Sequence, residues 1–429
     1  MTRIPQIDRL PRRVLTPLAV GALVLGGGAA ALASSAGGEP APPPAKSLPR
    51  ALADTMKSAD APGVTANVGF TSRLIDGSVR GSSGGPLIDG ATGTIRVGRG
   101  WRLAADLQSG GHRVQVGFDG RRLTVYDHDG KTAYTATAPA GTDQLLSALS
   151  AFRASPQMIE MALAAARRFV DVSDPRAGNV AGRPAYTVRV APKHDGGLLG
   201  AIEVAWDPET GTPLRLAVYA HGERQPVLDL AAEDVRVAPV AAEDLRVDVP
   251  EGVRTVRIDE AIGDRRPRGR SGPREGAAGD SALEALAGKG GPDLSLLLGG
   301  RGGGSGASGL AAVRKAVPFD LVAPAELAGL PRKAVRELRI GNRSGAALVY
   351  GDGLGALVVL QTRTGDDPLD LARTGLRLPE LAIDGATGRE LATPLGTVVS
   401  VRRDGVSHLI AGSVPTAAAE AAARQLVGR

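Results

Sequence analysis

The sequence contains no cysteine among its 429 residues. This absence excludes disulfide bonds, thiolate metal sites, a cysteine nucleophile and a lipid anchor attached through cysteine. It leaves export from the cytoplasm open, because many exported bacterial proteins have no disulfide. Aromatic residues are also scarce, at 3% of the chain. Since 43% of the residues are hydrophobic, buried cores must consist mainly of valine, leucine, isoleucine and alanine.

Glycine and proline are abundant, with 59 and 30 residues respectively. They favour turns, linkers and many short strands. The length allows two domains with linkers between them. The formal net charge is +6, which suits contact with nucleic acid or with an anionic membrane. The amino-terminal segment distinguishes between these two kinds of partner.

The amino-terminal segment has the pattern of an export signal. An uncharged apolar run occupies residues 14–33, and four arginines precede it: Arg3, Arg9, Arg12 and Arg13. A basic flank, an apolar run and small residues at its end are typical of a secretory signal. A run of about 20 residues is also long enough to span a bilayer as an uncleaved single-pass anchor. Both alternatives place the rest of the chain outside the cytoplasm.

We therefore expect a protein on the extracytoplasmic face of the cell membrane, or one that is secreted after signal cleavage. Contact with the membrane surface fits both the charge and this location, whereas nucleic acid does not. An arginine run at residues 265–274 has two interpretations: a solvated linker, or a contact with anionic lipid headgroups.

Changes in composition divide the chain into five parts. Residues 1–33 are the signal peptide or membrane anchor, and residues 34–47 are a Pro/Gly-rich tether. Residues 48–258 form a first folded unit with repeated strand patterns. Residues 259–315 lack periodicity and contain a Gly/Ser tract, which predicts a disordered linker. Residues 316–429 form a second, smaller α+β domain.

A β-hairpin at residues 201–227 has the clearest pattern in the first unit. Two runs alternate between apolar and other residues, with one apolar face in each: Ile202, Val204 and Trp206, then Leu214, Leu216 and Val218. A period of two predicts strands with one buried face. The intervening residues 207–213 carry Asp-Pro, Gly211 and Pro213, which are typical turn residues. Nothing in the hairpin indicates catalysis.

Strand patterns continue on both sides of this hairpin. A short helix is predicted at 48–58, followed by an antiparallel meander with turns at Asp119-Gly120 and Asp129-Gly130. Two helices are predicted within it, at 142–152 and 155–170. The apolar face of the second is expected to comprise Met158, Met161, Ala165 and Phe169. A carboxy-terminal helix is predicted over 417–427, with Ser413 as its cap and Pro415 in its first turn.

Motifs for catalysis and metal binding are weak. Asp127, His128 and Asp129 are candidate metal ligands, but they precede Gly130 in a predicted turn where aspartate is common. The five histidines show no zinc-binding spacing. A Gly-x-Ser-x-Gly match at residues 81–85 has no strand before it and no helix after it, as a nucleophile elbow requires. We therefore predict a protein without metal, cofactor or enzymatic activity.

Two stretches carry a resemblance to known families. Residues 206–214 (WDPETGTPL) resemble the hairpin of the LolA-like lipoprotein-carrier fold, which is shared with the amino-terminal domain of MucB/RseB-type sigma-factor regulators. Residues 350–354 (YGDGL) and 410–415 (IAGSVP), the latter leading into an Ala-rich helix, resemble the carboxy-terminal domain of the MucB/RseB type.

This resemblance implies an α+β fold: an antiparallel, half-open β-barrel with covering helices and a smaller carboxy-terminal domain. It also implies an apolar cavity for acyl chains and an exported binding protein that needs no cofactor. Two functional hypotheses follow from it. One is a protein that holds a lipid or an acylated lipoprotein. The alternative is a regulator that binds the extracytoplasmic segment of a single-pass anti-sigma factor.

The candidate ligand-binding residues are the apolar residues of the predicted strands. They belong either to a packed core under the helices or to the lining of a cavity. The nine candidates are Phe70, Trp101, Leu103, Val116, Phe118, Val204, Trp206, Leu216 and Val218.

Overall fold

A computed structural model describes eleven stretches of the chain. They are residues 40–58, 63–77, 79, 90–99, 102–137, 155–168, 170–193, 197–257, 307–340, 343–365 and 376–428. The apolar run at 14–33, the predicted helix at 142–152, Trp101 and the Gly-x-Ser-x-Gly match lie outside the described residues. Among the described residues, no helix is long and apolar enough to cross a membrane.

In the described residues, the first unit comprises a sheet of thirteen strands and two helices. The strands are β1 (Val64–Ser72), β2 (Ala91–Gly98), β3 (Arg102–Ser109), β4 (His112–Phe118), β5 (Arg122–Asp127), β6 (Thr132–Thr137), β7 (Val170–Val172), β8 (Arg176–Val180), β9 (Arg183–Pro192), β10 (Leu199–Trp206), β11 (Pro213–Ala220), β12 (Leu228–Val237) and β13 (Arg254–Arg257). The helices are α1 (Leu48–Ser58) and α2 (Pro156–Ala166), with a 3-10 turn at Glu243–Leu245.

The order of strands places the start of the unit in the middle of its sheet. The path runs β13-β6-β5-β4-β3-β2-β1-β12-β11-β10-β9-β7, and β8 also pairs with β9. All pairs are antiparallel except β13 with β6. The path does not close on itself, as a half-open sheet requires. The predicted α+β class with antiparallel sheets is confirmed.

The predicted hairpin is confirmed as β10 and β11. Val204 lies opposite Leu216 and Ile202 opposite Val218. In the turn, Asp207 Oδ1 accepts hydrogen bonds from the backbone N–H groups of Glu209 (2.8 Å) and Thr210 (3.2 Å). Gly211 has φ of +69°, a left-handed conformation that glycine adopts without steric cost.

Helices α1 and α2 cover one end of the sheet. Trp206 Nε1 donates a hydrogen bond to Thr55 Oγ1 of α1 over 3.1 Å. Helix α2 packs on α1 through Ile159 and the half-buried Leu163. The predicted apolar face of this helix is wrong at Met158 and Met161, which are 41% and 67% exposed, whereas Ala165 is half-buried and Phe169 lies outside the described residues. Ile159 and Leu163 are one turn apart on the other side, and that side meets α1.

The predicted tether is partly attached to the first unit. Pro40 O accepts a hydrogen bond of 2.6 Å from Asn179 Nδ2, and Pro44 O accepts one from the Tyr186 hydroxyl. Pro43 is buried between these two contacts. The chain is therefore bound to the sheet edge from residue 40 onward, eight residues before α1 begins.

Residues 238–253, which we call the strap, cross β2–β4. They lie on the side of the sheet opposite to the one on which α1 and α2 pack. A Cβ placed on Gly98 would lie 2.3 Å from Leu245 Cδ1, and one placed on Gly117 would lie 2.7 Å from Val247 Cγ2. These two glycines therefore allow the strap to approach the strands closely. The strap then leads into β13 at the sheet edge.

The second unit is an eight-stranded antiparallel sheet in the order β14-β15-β16-β17-β21-β20-β19-β18. Its strands are β14 (Glu326–Leu327), β15 (Leu330–Ile340), β16 (Arg343–Tyr350), β17 (Leu357–Arg363), β18 (Glu380–Ile383), β19 (Ala386–Thr393), β20 (Gly396–Arg403) and β21 (Val406–Gly412). Its helices are α3 (Leu310–Ala316) and α4 (Thr416–Val427), with a 3-10 turn at Gly353–Gly355.

This second unit begins earlier than position 316. Helix α3 lies within the predicted linker 259–315, and its Val313 is fully buried in the core of the second unit. Ser308 forms a bridge with Arg336 of β15. A single buried side chain in a seven-residue helix leaves no periodic pattern for sequence reasoning to detect.

The predicted helix cap is also wrong. Helix α4 has Pro415 as its N-cap residue and no side-chain cap. Ser413 Oγ instead accepts hydrogen bonds from the backbone N–H groups of Leu198 and Leu199 in the first unit. A second contact joins the units, since Arg377 N donates to Val79 O over 2.9 Å. Ser413 is therefore used between the units rather than at the helix.

Candidate ligand-binding face

Strand register places the described candidates on one face of the first sheet. Phe70 of β1 pairs with Leu230 of β12, Leu230 pairs with Leu216, and Leu216 pairs with Val204. Val218 lies two residues from Leu216 and therefore on the same side. We call this side of the sheet the apolar face.

The same face continues into the other half of the sheet. Leu103 pairs with Val97 of β2, and Val97 pairs with Val64 of β1. Leu103 also pairs with Phe118 of β4, which lies two residues from Val116. Eight of the nine candidates thus share one continuous surface, and Trp101 lies outside the described residues.

Coverage of the apolar face is uneven. Trp206 is 7% exposed, because it packs against Tyr186, with ring centroids 5.8 Å apart, and against Leu48 and Ala51 of α1. The other seven described candidates are all half-buried: Phe70, Leu103, Val116, Phe118, Val204, Leu216 and Val218. Helices α1 and α2 therefore complete a packed core around Trp206.

None of the candidates lines either of two clefts of about 360 and 440 Å³ in the described residues. The first lies between Arg99, Arg102 and the strap. The second lies in the second unit. Seven half-buried apolar side chains on one side of a sheet suit an apolar segment laid across the strands.

The reverse side of the hairpin carries a charged cluster that sequence reasoning missed. We call it the Glu203 cluster; it comprises Arg176, Arg189, Glu203, Arg215, Tyr219 and Asp229. Glu203 Oε1 accepts hydrogen bonds from Arg176 Nη2 (3.2 Å) and Arg189 Nη1 (3.3 Å). Its Oε2 accepts one from the Tyr219 hydroxyl (2.9 Å).

Arg215 completes the cluster by pairing with a second carboxylate. Its Nε and Nη2 donate to Asp229 over 2.9 and 2.7 Å, a bidentate pair. Arg189 also lies over the Tyr219 ring, 4.6 Å from its centroid. Every arginine of the cluster is therefore held in a fixed orientation by a carboxylate or an aromatic ring.

Electrostatics keep Glu203 ionised despite its burial. Burial alone would raise the pKa of this carboxyl, but the hydrogen bonds from Tyr219 and Arg189 and the charge of Arg176 outweigh it. The pKa of Glu203 consequently lies below its ordinary value. Burial, followed by the hydrogen bond to Glu203, raises the pKa of Tyr219. The cluster is therefore a stable ionic network near neutral pH.

The alternation of residues in the hairpin sequence is the one indication of this cluster. Glu203 and Arg215 occupy the positions between the apolar residues, so they share the reverse face. Their partners come from β8, β9 and β12, and the register that aligns those strands with the hairpin cannot be read from sequence alone.

The second cleft contains a buried histidine. His408 is 3% exposed, and its Nδ1 finds no hydrogen-bond partner among the described residues. Burial lowers the pKa of His408 to about 4, so the ring is neutral above that pH. Four charged residues also line this cleft: Asp320, Arg363, Arg403 and Asp404.

The candidate metal ligands form the predicted turn. Asp127 Oδ1 accepts hydrogen bonds from the backbone N–H groups of Asp129 and Gly130, over 3.1 and 3.0 Å. His112 Nδ1 contacts Asp129 Oδ2 at 3.1 Å. Within the described ranges, no group of three or more acidic or histidine residues is arranged to hold a metal ion.

Comparison with known proteins finds matches among solved structures alone. No protein-family model matches the sequence, and no curated protein matches it. Among solved structures, MucB in complex with MucA(peri) is 15% identical, with a TM-score of 0.38. The Pseudomonas aeruginosa MucA/MucB complex is 16% identical with a TM-score of 0.38, and MucB alone is 16% identical with a TM-score of 0.35.

All three alignments cover 87% of this chain and 95% of the other. Nothing about a ligand or a partner follows from a similarity of this degree.

Proposed function

We propose that this chain is an extracytoplasmic, non-enzymatic binding protein that holds an apolar segment of a partner protein on its apolar face. The partner is the extracytoplasmic part of a single-pass membrane protein of the anti-sigma-factor kind. One observation carries the proposal: seven apolar side chains remain half-buried on one continuous side of a thirteen-stranded sheet.

Burial of these side chains supplies the affinity. Removing apolar surface from water contributes roughly 25 cal/mol per Å², so completing the burial of several Leu, Val and Phe side chains stabilises a complex by several kcal/mol. An amphipathic segment covers such a surface with its apolar residues and keeps its polar side in solvent.

An acylated ligand is the second candidate for the same face. The row Phe70, Leu230, Leu216 and Val204 crosses four strands without a polar side chain. A continuous aliphatic row of this type suits a hydrocarbon chain laid across the strands. It also suits the apolar side of a protein segment, so the two ligands compete for one surface.

Photo-crosslinking from a single position distinguishes these ligands. A benzoylphenylalanine replaces Leu216 on the apolar face, and a matched control replaces Thr71, which is exposed on the reverse side of the same sheet. Both full-length variants are irradiated in cells of the native host, and the adducts are identified by mass spectrometry. We expect an adduct from Leu216, and none from Thr71, with a peptide of a single-pass membrane protein.

Each outcome of the crosslinking decides what binds on the apolar face. An adduct whose added mass is that of a lipid would replace the protein partner by the acyl ligand. Equal adducts from both positions, or none from Leu216, would reject binding on the apolar face altogether. Phe118→Asp, which places a charge on the same face, should reduce the yield from Leu216 about tenfold if the contact is apolar.

A further inference from the structure

The attachment of the tether fixes how far the first unit lies from the predicted anchor. Pro40 is bonded to Asn179, and six residues, 34–39, separate it from the end of the apolar run at Ala33. From Ala33 to Pro40 the backbone takes seven steps of at most about 3.6 Å each, so this segment bridges no more than about 25 Å. With residues 14–33 in a bilayer, the sheet edge at Asn179 stays within that distance of its surface.

The Glu203 cluster begins at this same edge. Asn179 and Arg176 both belong to β8, which pairs with β9 and with no other strand of the described residues. Three residues of a strand span about 10 Å. The side chain of Arg176 is 69% exposed, and those of Arg189 and Arg215 are 39% and 30% exposed. Exposed arginines therefore extend from the edge that the tether keeps near the membrane.

The cluster has a positive charge that its own carboxylates do not balance. Its three guanidinium groups face two carboxylates, Glu203 and Asp229, which leaves one positive charge. Arg176 and Arg189 each donate one hydrogen bond to Glu203 Oε1. A guanidinium has five N–H donors, so most of theirs remain available to an external acceptor. Glu203 and the Tyr219 ring hold the two groups in place beforehand.

We propose that Arg176 and Arg189, oriented by Glu203 and Tyr219, bind the phosphate groups of anionic lipids in the membrane that anchors the chain. Arginine matches phosphate through two parallel hydrogen bonds, and an anionic surface attracts each added arginine. The short tether favours this occupant over an acidic protein segment, because it keeps the cluster close to one particular surface. The inference rests on the uncleaved anchor and is independent of the ligand on the apolar face.

The absence of cysteine makes a direct test available. Gly178 lies on the same side of β8 as Arg176, and a Cβ built there meets nothing within 4 Å. Gly178→Cys therefore gives a unique site for a fluorescent label. Ala312→Cys, at an exposed position on α3 of the second unit, is the matched control. The full chain is reconstituted into phosphatidylcholine vesicles with or without phosphatidylglycerol, both containing a headgroup-attached quencher.

We expect stronger quenching at Gly178→Cys when phosphatidylglycerol is present, and no such difference at Ala312→Cys. Arg176→Gln or Arg189→Gln should weaken the membrane-contacting state about fivefold each, and Arg176→Lys should retain part of it. High salt should reduce the difference, because the contact is electrostatic. In each variant Arg215 and Tyr219 still satisfy Glu203, so the fold is retained.

Three results would overturn the proposal. Quenching that is equal in both kinds of vesicle and unchanged by the arginine substitutions would show that the tether alone places the label near the surface. Absence of quenching at Gly178→Cys would show that the cluster faces away from the membrane. Protection of the label by soluble polyglutamate, without an effect of phosphatidylglycerol, would identify an acidic protein segment as the occupant.

Discussion

The two sheets of this protein differ in how completely their apolar sides are covered. In the second unit Leu348, Leu357 and Val359 are fully buried, within a single cluster that includes both α3 and α4. In the first unit, the corresponding central residues Leu216 and Val204 remain half-buried. In sequence, β10 and β11 alternate, whereas residues 346–350 of β16 and 357–360 of β17 are continuously apolar. Alternation thus identifies an apolar side but not what covers it, and a continuous apolar run is typical of a strand buried on both sides.

Helix composition explains part of this difference. Helix α4 presents Ala419, Ala422 and Ala423 to the second sheet, and all three are fully buried. Small side chains let a helix lie close to the strands, so large residues of the sheet fill the remaining space. Helices α1 and α2 instead pack against each other and against Trp206 at one end of the first sheet.

Leu348→Ala should produce the largest effect, because it removes a fully buried side chain from the filled core. We expect the free energy of unfolding of the second unit to fall by about 3–4 kcal/mol. Hydrogen exchange of the β16 and β17 amides measures this change locally. A loss under 1 kcal/mol would mean that the second core is as loosely covered as the first.

Acid should destabilise the second unit through His408. Its folded pKa of about 4 lies below the ordinary value of 6.5, so only the unfolded chain takes up the proton between these values. Stability is therefore unaffected above pH 6.5 and is lost as the pH falls towards 4, by about 3 kcal/mol in total. His408→Gln should abolish this slope, and His221→Gln, at an exposed position, should leave it unchanged.

Glu203→Ala should destabilise the first unit by about 2 kcal/mol, because it leaves partly buried arginines without their carboxylate. Urea unfolding followed by tryptophan fluorescence measures this, since Trp101 and Trp206 both belong to the first unit. The pKa of Glu203 is lowered in the folded state. The stability that its carboxylate contributes is therefore lost as the pH falls through this lowered pKa. Arg176→Ala, at an exposed site, should cost under about 0.5 kcal/mol.

Leu216→Ala tests directly how the apolar face is packed. A half-buried leucine has lost only part of its contact with water, so we expect a cost of about 1 kcal/mol, well below that of Leu348→Ala. The same urea titration measures it. A cost as large as that of Leu348→Ala would show that the apolar face is a packed core, and would remove the basis for binding there.

Sequence reasoning predicted local elements better than the contacts between them. It identified the β10–β11 hairpin, its Gly211 turn and the shared side of Val204 and Leu216, because alternation and turn chemistry act over a few residues. It did not find the Glu203 cluster, whose members are brought together by register across β8–β12. Helix α3 was not predicted, because its burial depends on contacts with β15. Contacts between distant parts of the chain leave no local pattern in the sequence.

Met161→Gln should have the smallest effect and tests the correction to helix α2. Met161 is 67% exposed, so its replacement by a polar residue should change the stability of the first unit by under about 0.5 kcal/mol. Ile159→Ala, on the side that meets α1, is the control and should cost about 2 kcal/mol. The sequence pattern placed Met161 on the buried side, so it requires the reverse order of effects. Urea unfolding of the two variants side by side decides which face of α2 packs against α1.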